Sequence, residues 1–244
     1  MPEHAVKFPG NLQRLNTMQN DHKDNSAARV VGDLKQDILQ GYFAPGEKLA
    51  MARLKTRYNV GVSPLREALS QLLIEQLVVV ENQRGFRVHP ISKEEMLDIY
   101  QTRARIEALC VGLAVDQGDD EWEARILAAA HKMQKFSTSM ESDPQEWERR
   151  HHDFHSAIVA GCHSPTLLGV RRSLYEKASR YRNLWLTDNM QQTDFFDANR
   201  KEHDQLIDAL LRRDRETACK LIEHHLLSPS KALLESQTIP EKTV

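Results

Sequence analysis

Two histidines, His151 and His155, stand four residues apart in the run Glu148-Arg149-Arg150-His151-His152-Asp153-Phe154-His155. On a helix that spacing puts both imidazoles on one face. His203 lies early in a later stretch of helical periodicity and His225 near the middle of the last one. The flanking residues are apolar: Phe154, Ile158, Leu206, Ile207, Leu221 and Leu226. A single imidazole inside a bundle reads most simply as a hydrogen-bonded core group. Four on three helices read differently, because bundle metal sites are built from side chains on facing helices. The expected chemistry is divalent-metal binding by His151, His155, His203 and His225. Hydrolytic catalysis is not expected. The residues between the first pair are His152, Asp153 and Phe154, so no glutamate stands where HExxH places one. Four protein ligands also leave less open coordination than the three of a catalytic zinc site.

The elements that must position these rings are helices. Ser92-Lys93-Glu94-Glu95 is a capping box opening a helix to about Asp116. Further helices are expected near 119–138, from Asp143-Pro144 to about Cys162, from Ser164-Pro165 to about Leu186, and at about 193–212 and 214–234. Residues 91–235 therefore predict an all-helical bundle of six or seven helices. Residues 1–25 and 236–244 are polar and aperiodic, which predicts a flexible arm and tail.

Upstream, the pattern is different. Val30, Val31, Leu34 and Ile38 mark a helix that ends at Gly41, and Met51, Leu54 and Tyr58 a short second one. Ser63 is expected to cap a third, with Pro64 at its first position. Leu77-Val78-Val79-Val80 and Phe86-Arg87-Val88 flank a turn at Asn82-Gln83-Arg84-Gly85. Three helices followed by a two-stranded wing form a winged helix-turn-helix over residues 26–90. The fold class is mainly α, with this small β-wing as its strand content.

The charge distribution fits that division. The net charge of the 244 residues is -2, which argues against a nucleic-acid partner until it is split. Residues 26–90 hold nine basic and six acidic residues, a balance of +3, and residues 91–235 hold twenty and twenty-five, a balance of -5. Arg53, Lys55, Arg57 and Arg66 fall in one acid-free stretch from Ala50 to Arg66. A phosphate backbone responds to such a patch rather than to the total. Ser63, Pro64 and Arg66 begin the recognition helix, Arg53, Lys55 and Arg57 are backbone contacts, and Arg84 and Gly85 are wing contacts. The three cysteines, Cys110, Cys162 and Cys219, form no CxxC pair and suit a reducing cytoplasm. There is no apolar run of membrane-spanning length and no secretory h-region at the start.

The run from Gln36-Asp37-Ile38-Leu39-Gln40-Gly41 through Pro45-Gly46-Glu47-Lys48-Leu49 to Val62-Ser63-Pro64-Leu65-Arg66-Glu67-Ala68-Leu69 resembles the DNA-binding domain of GntR-family bacterial regulators, and Arg84-Gly85-Phe86-Arg87-Val88 resembles its wing. Val62 stands where that family often has an Arg, which implies a shifted operator sequence. Residues from about Ser92 to Leu234 resemble the FCD domain of the FadR branch. The resemblance implies a homodimeric repressor on a palindromic operator, released by a small carboxylate. It implies that His155, His203 and His225 are metal ligands and that His151 replaces the usual Asp. An all-histidine set favours Zn²⁺, or Ni²⁺, over harder ions.

The same resemblance implies that Arg103 holds the effector; the alternative is a structural pair with Glu107, one turn on. Arg180 and Arg182 are further candidates, because a guanidinium pairs a carboxylate bidentately. Ala178-Ser179-Arg180-Tyr181-Arg182 and Phe154-His155-Ser156-Ala157-Ile158 are similar to a carbon-starvation-induced, glutarate-sensing repressor of that family, which implies glutarate as inducer. The competing expectation is a direct metal sensor with no organic effector.

Overall fold

Val30, Leu34 and Ile38 recur at helical spacing and all three are buried, forming the inner stripe of α1 (Leu12–Leu39). The computed structural model describes residues 12–81, 85–137, 143–189, 193–235 and 239–241. The chain divides into two compact units, one made of residues 1–38 and 42–89, the other of 39–41 and 90–244.

In the first unit, α1 is followed by α2 (Met51–Tyr58), α3 (Val62–Ile74) and the antiparallel strands β1 (Val78–Val80) and β2 (Phe86–Val88). Val78 pairs with Val88 and Val80 with Phe86. Leu54 and Tyr58 from α2 join Leu65, Ala68, Leu69 and Leu72 from α3 in the core. Asn59 ends α2 in the left-handed region (φ 50°), which asparagine tolerates better than most residues. Two expectations change here. α1 begins at Leu12, inside the segment read as an arm, because polar composition argues against burial and not against helix. α3 begins two residues early, with Gly61 as its N-cap; Ser63 donates to Glu67 instead of capping, and Pro64 falls at the third helical position.

Among the described residues the second unit holds six helices: α4 (Lys93–Gln117), α5 (Asp120–Ser137), α6 (Pro144–Ala160), α7 (Pro165–Asn189), α8 (Thr193–Leu211) and α9 (Arg215–Glu235). Helix α4 packs against α6, α7 and α9. The Ser92 hydroxyl accepts from the Glu95 N–H and Asp143 caps α6 on Gln145, as the start signals predict. The main core gathers Val111, Val115, Trp122, Ile126, Phe154, Ile158, Leu206, Leu210, Ile222 and Leu226. A second cluster joins Ile91, Met96, Ile99, Tyr100, Ala178, Tyr181, Leu233 and Ile239. Ile239 corrects the expected tail: it is buried, and the Lys93 N–H at the start of α4 donates to the Pro240 carbonyl (2.9 Å). That bond satisfies one of the donors a helix start leaves open.

Candidate functional site

Helix α6 presents His151 and His155 from successive turns, α8 presents His203 and α9 presents His225, and all four rings are buried. Their facing nitrogens converge. The Nε2 atoms of His151 and His155 are 3.1 Å apart, and those of His203 and His225 are 3.2 Å apart. One ligand atom from each of the four lies within 4.8 Å of all the others. Two imidazole nitrogens about 2.0–2.1 Å from one tetrahedral ion stand about 3.3 Å apart, so each pair already has the spacing of co-ligands. Burial first, and then the neighbouring histidines and arginines, hold the imidazoles of His151 and His155 well below their usual pKa; burial and then His225 do the same for His203. These rings are neutral, which is the form that donates a lone pair to a metal.

The surroundings hold the rings in place. His151 stacks on Trp147, with centroids 4.6 Å apart and planes at 16°. Phe154 meets the His203 ring edge-on at 4.9 Å. His225 Nδ1 lies 2.7 Å from the Glu202 carboxylate, the outer partner that orients a ligating histidine. The Nδ1 atoms of His151, His155 and His203 are buried without a hydrogen-bond partner among the described residues. With four imidazole nitrogens as donors, a borderline-soft divalent ion fits the site.

Three arginines are buried near these rings. From α7, Arg182 donates Nε to Glu148 Oε2 (2.7 Å) and Nη2 to Glu148 Oε1; Tyr175 adds its hydroxyl to the same carboxylate. Arg171 donates Nε to Glu107 (3.0 Å) and Nη1 to the Ser156 hydroxyl (3.1 Å). Glu107 is therefore hydrogen-bonded to Arg171, and it acts on Arg103, the alternative partner, through its charge. Arg103 is 1% exposed, and its Nε and Nη2 have no hydrogen-bond partner among the described residues. Its guanidinium sits 5.2 Å from the Tyr175 ring, and its charge is felt by both His151 and His155. Burial is the leading influence on it and pulls its pKa down. Arg180 is also buried, which pulls its pKa down, and the groups that act against this are Tyr181, in the second cluster, and Glu95. The structure thus gathers Arg103 and Arg182 about the histidines and sets Arg180 apart. Sequence reasoning missed Glu148, Arg171, Tyr175, Trp147 and Glu202. Only Trp147 and Glu202 carried a signal, one turn before His151 and beside His203.

The first unit carries the basic surface. Val62 (43% exposed), Ser63 and Arg66 face outward at the start of α3, whereas Pro64 is buried and shapes the helix rather than offering a contact. Lys55 is exposed. Arg53 and Arg57 are engaged internally: Arg53 with Glu47, and Arg57 with both oxygens of Asp37 (2.6 and 2.7 Å) and over the Tyr42 ring at 3.5 Å. Gly85 takes a positive φ of 104° in the wing, and the Glu81 N–H donates to its carbonyl (3.0 Å). Arg84 lies outside the described residues.

Residues 26–88 match the family described as bacterial regulatory proteins, gntR family, and residues 98–228 match the FCD domain. The chain is 47% identical over 198 residues to the HTH-type transcriptional repressor GlaR of Escherichia coli (strain K12), covering 80% of this chain and 90% of that one. It is 35% identical over 199 residues to the uncharacterized HTH-type transcriptional regulator BphR of Paraburkholderia xenovorans (strain LB400), covering 80% of each. The solved structure of E. coli McbR/YncC shares the fold, with a TM-score of 0.75 at 20% identity over 86% of this chain and 97% of that one.

Proposed function

The chain belongs to the gntR family of bacterial regulatory proteins and carries its FCD domain, and from that premise we propose that it is an operator-binding repressor released by a small dicarboxylate, glutarate, at a divalent-metal site. It is a transcription regulator and not an enzyme. Among the described residues no helix is long and apolar enough to cross a membrane.

One observation carries the effector reading: Arg103 is a fully buried guanidinium left over after Arg171 and Arg182 have each taken a glutamate. The charge of Glu107 acts on it, but its Nε and Nη2 lack hydrogen bonds, which is costly for a buried guanidinium, and an anionic ligand supplies them. His151, His155, His203 and His225 hold the metal, Zn²⁺ or Ni²⁺ by donor type. When bound, it supplies a fixed positive charge for a carboxylate oxygen. Arg103 then takes the remaining negative charge of the ligand, and Arg182 is held as a wall by Glu148. At the other unit, Arg66 and Ser63 on α3 and Lys55 on α2 offer donors to DNA, and a homodimer presents two such faces to a palindromic operator. For release, the ligand must bind the DNA-incompetent state more tightly than the competent one.

The donor count also supports a second reading. Four histidines fill a tetrahedral ion, so the metal itself would be the signal. Calorimetry with glutarate on metal-loaded and chelated protein separates the two. Binding to the loaded form, with loss of the operator complex in a gel shift, supports the first; glutarate binding to neither form overturns it.

A further inference from the structure

Five tyrosines are present, and Tyr58, Tyr100, Tyr175 and Tyr181 are buried. Three of these four give their hydroxyl to a carboxylate: Tyr58 to Asp37 (2.5 Å), Tyr175 to Glu148 and Tyr181 to Glu95 (2.5 Å). Tyr100 is 1% exposed, and its hydroxyl is buried with no partner among the described residues. A buried phenol normally finds an acceptor.

Tyr100 and Arg103 stand three residues apart on α4, so both project from one helix face. Each feels the other electrostatically, and Tyr100 also feels Arg182 and Glu148. The histidines in turn feel Arg103. Arg103 is thus within electrostatic reach of both the histidines and Tyr100. Three donors of this stretch, Arg103 Nε, Arg103 Nη2 and the Tyr100 hydroxyl, are buried and have no hydrogen-bond partner among the described residues. A carboxylate has two oxygens and accepts all three.

We propose that Tyr100, with Arg103, forms the subsite for the far carboxylate of the effector, and that its hydroxyl makes the site prefer dicarboxylates to monocarboxylates of the same length. The inference rests on the effector reading above and adds a residue whose role is selection. Arg103 attracts any anion that reaches it. The Tyr100 hydroxyl adds a directed bond only when the ligand is long enough to carry a second carboxylate to it.

The test compares glutarate with its monomethyl ester, measured by calorimetry on metal-loaded wild type and on Tyr100→Phe. The wild type should favour glutarate, and Tyr100→Phe should reduce that preference roughly tenfold, the loss of one hydrogen bond to a charged group, through weaker glutarate binding and unchanged ester binding. Metal content and operator binding without ligand should not change. Equal weakening toward both ligands assigns Tyr100 a purely structural role and overturns the inference, as does an unchanged preference. If Tyr100→Phe does not fold, the wild type still decides: equal affinity for glutarate and the ester overturns the second subsite. A wild type that binds neither ligand overturns the effector reading itself.

Discussion

Arg182 of α7 grips Glu148 of α6 with two guanidinium nitrogens, and the pair is shut inside the bundle. Removing one partner strands a buried charge, which costs about 3–5 kcal/mol, whereas replacing both with apolar residues of similar size is far milder. Glu148→Leu should therefore destabilise strongly, and Glu148→Leu with Arg182→Met should recover most of the loss. Denaturant unfolding of the two variants checks it; a double variant as unstable as the single one would show that the pair is not the source.

Chelation should lower the melting temperature. A ligand present at about 100 times its Kd stabilises by about 2.7 kcal/mol, which is roughly 5–10 °C for a domain of this size. His155→Ala should melt at the same temperature with and without Zn²⁺. Scanning calorimetry on chelated and reloaded protein reads both outcomes, and an unshifted wild type would count against metal binding by the four rings.

Arg66 and Arg57 should separate cleanly. Arg66 is exposed at the start of α3, whereas Arg57 is tied to Asp37 and Tyr42. Arg66→Ala should weaken operator binding and reduce the salt dependence by about one phosphate contact. Arg57→Ala should instead lower the melting temperature of its unit and leave the salt slope alone. Operator titrations at several salt concentrations decide it; full operator affinity for Arg66→Ala would overturn the recognition-helix assignment.

The Asp37 contact also sets an acid limit. Burial favours the neutral carboxyl, but hydrogen bonds from Arg57 and Tyr58 outweigh it and hold the folded pKa below the usual value. A depressed folded pKa gives stability that is present above the unfolded value of about 3.9 and is lost as pH falls through the folded value. Wild type should outlast Asp37→Asn in thermal melts at neutral pH, and the gap should close below about pH 4. A gap independent of pH would mean that packing, not charge, is what Asp37 supplies.

Gly118 should not tolerate a side chain. A Cβ there would lie 2.4 Å from the Trp122 ring and 2.7 Å from the Ala114 carbonyl. Trp122 is fully buried and its indole N–H donates to the Ile158 carbonyl (2.7 Å), so it has nowhere to move. Gly118→Ala should cost about 1–3 kcal/mol in denaturant unfolding.

Apart from the starts of α1 and α3, the helix positions, the wing and the four histidines were legible in the sequence, because each depends on spacing within one element. Capping residues mark where a helix starts, and an i, i+4 pair shares a face wherever the helix ends up. The same logic offered Glu107 to Arg103, but Arg171, 64 residues away, takes its hydrogen bond. It also treated Arg53 and Arg57 as free bases, although Glu47 and Asp37 hold them. Nothing in the linear order says which charge meets which partner across a packed interface. That decision came from the packing of α4, α6 and α7, which gave Arg171 and Arg182 their glutamates and left the Nε and Nη2 of Arg103 and the hydroxyl of Tyr100 without acceptors among the described residues.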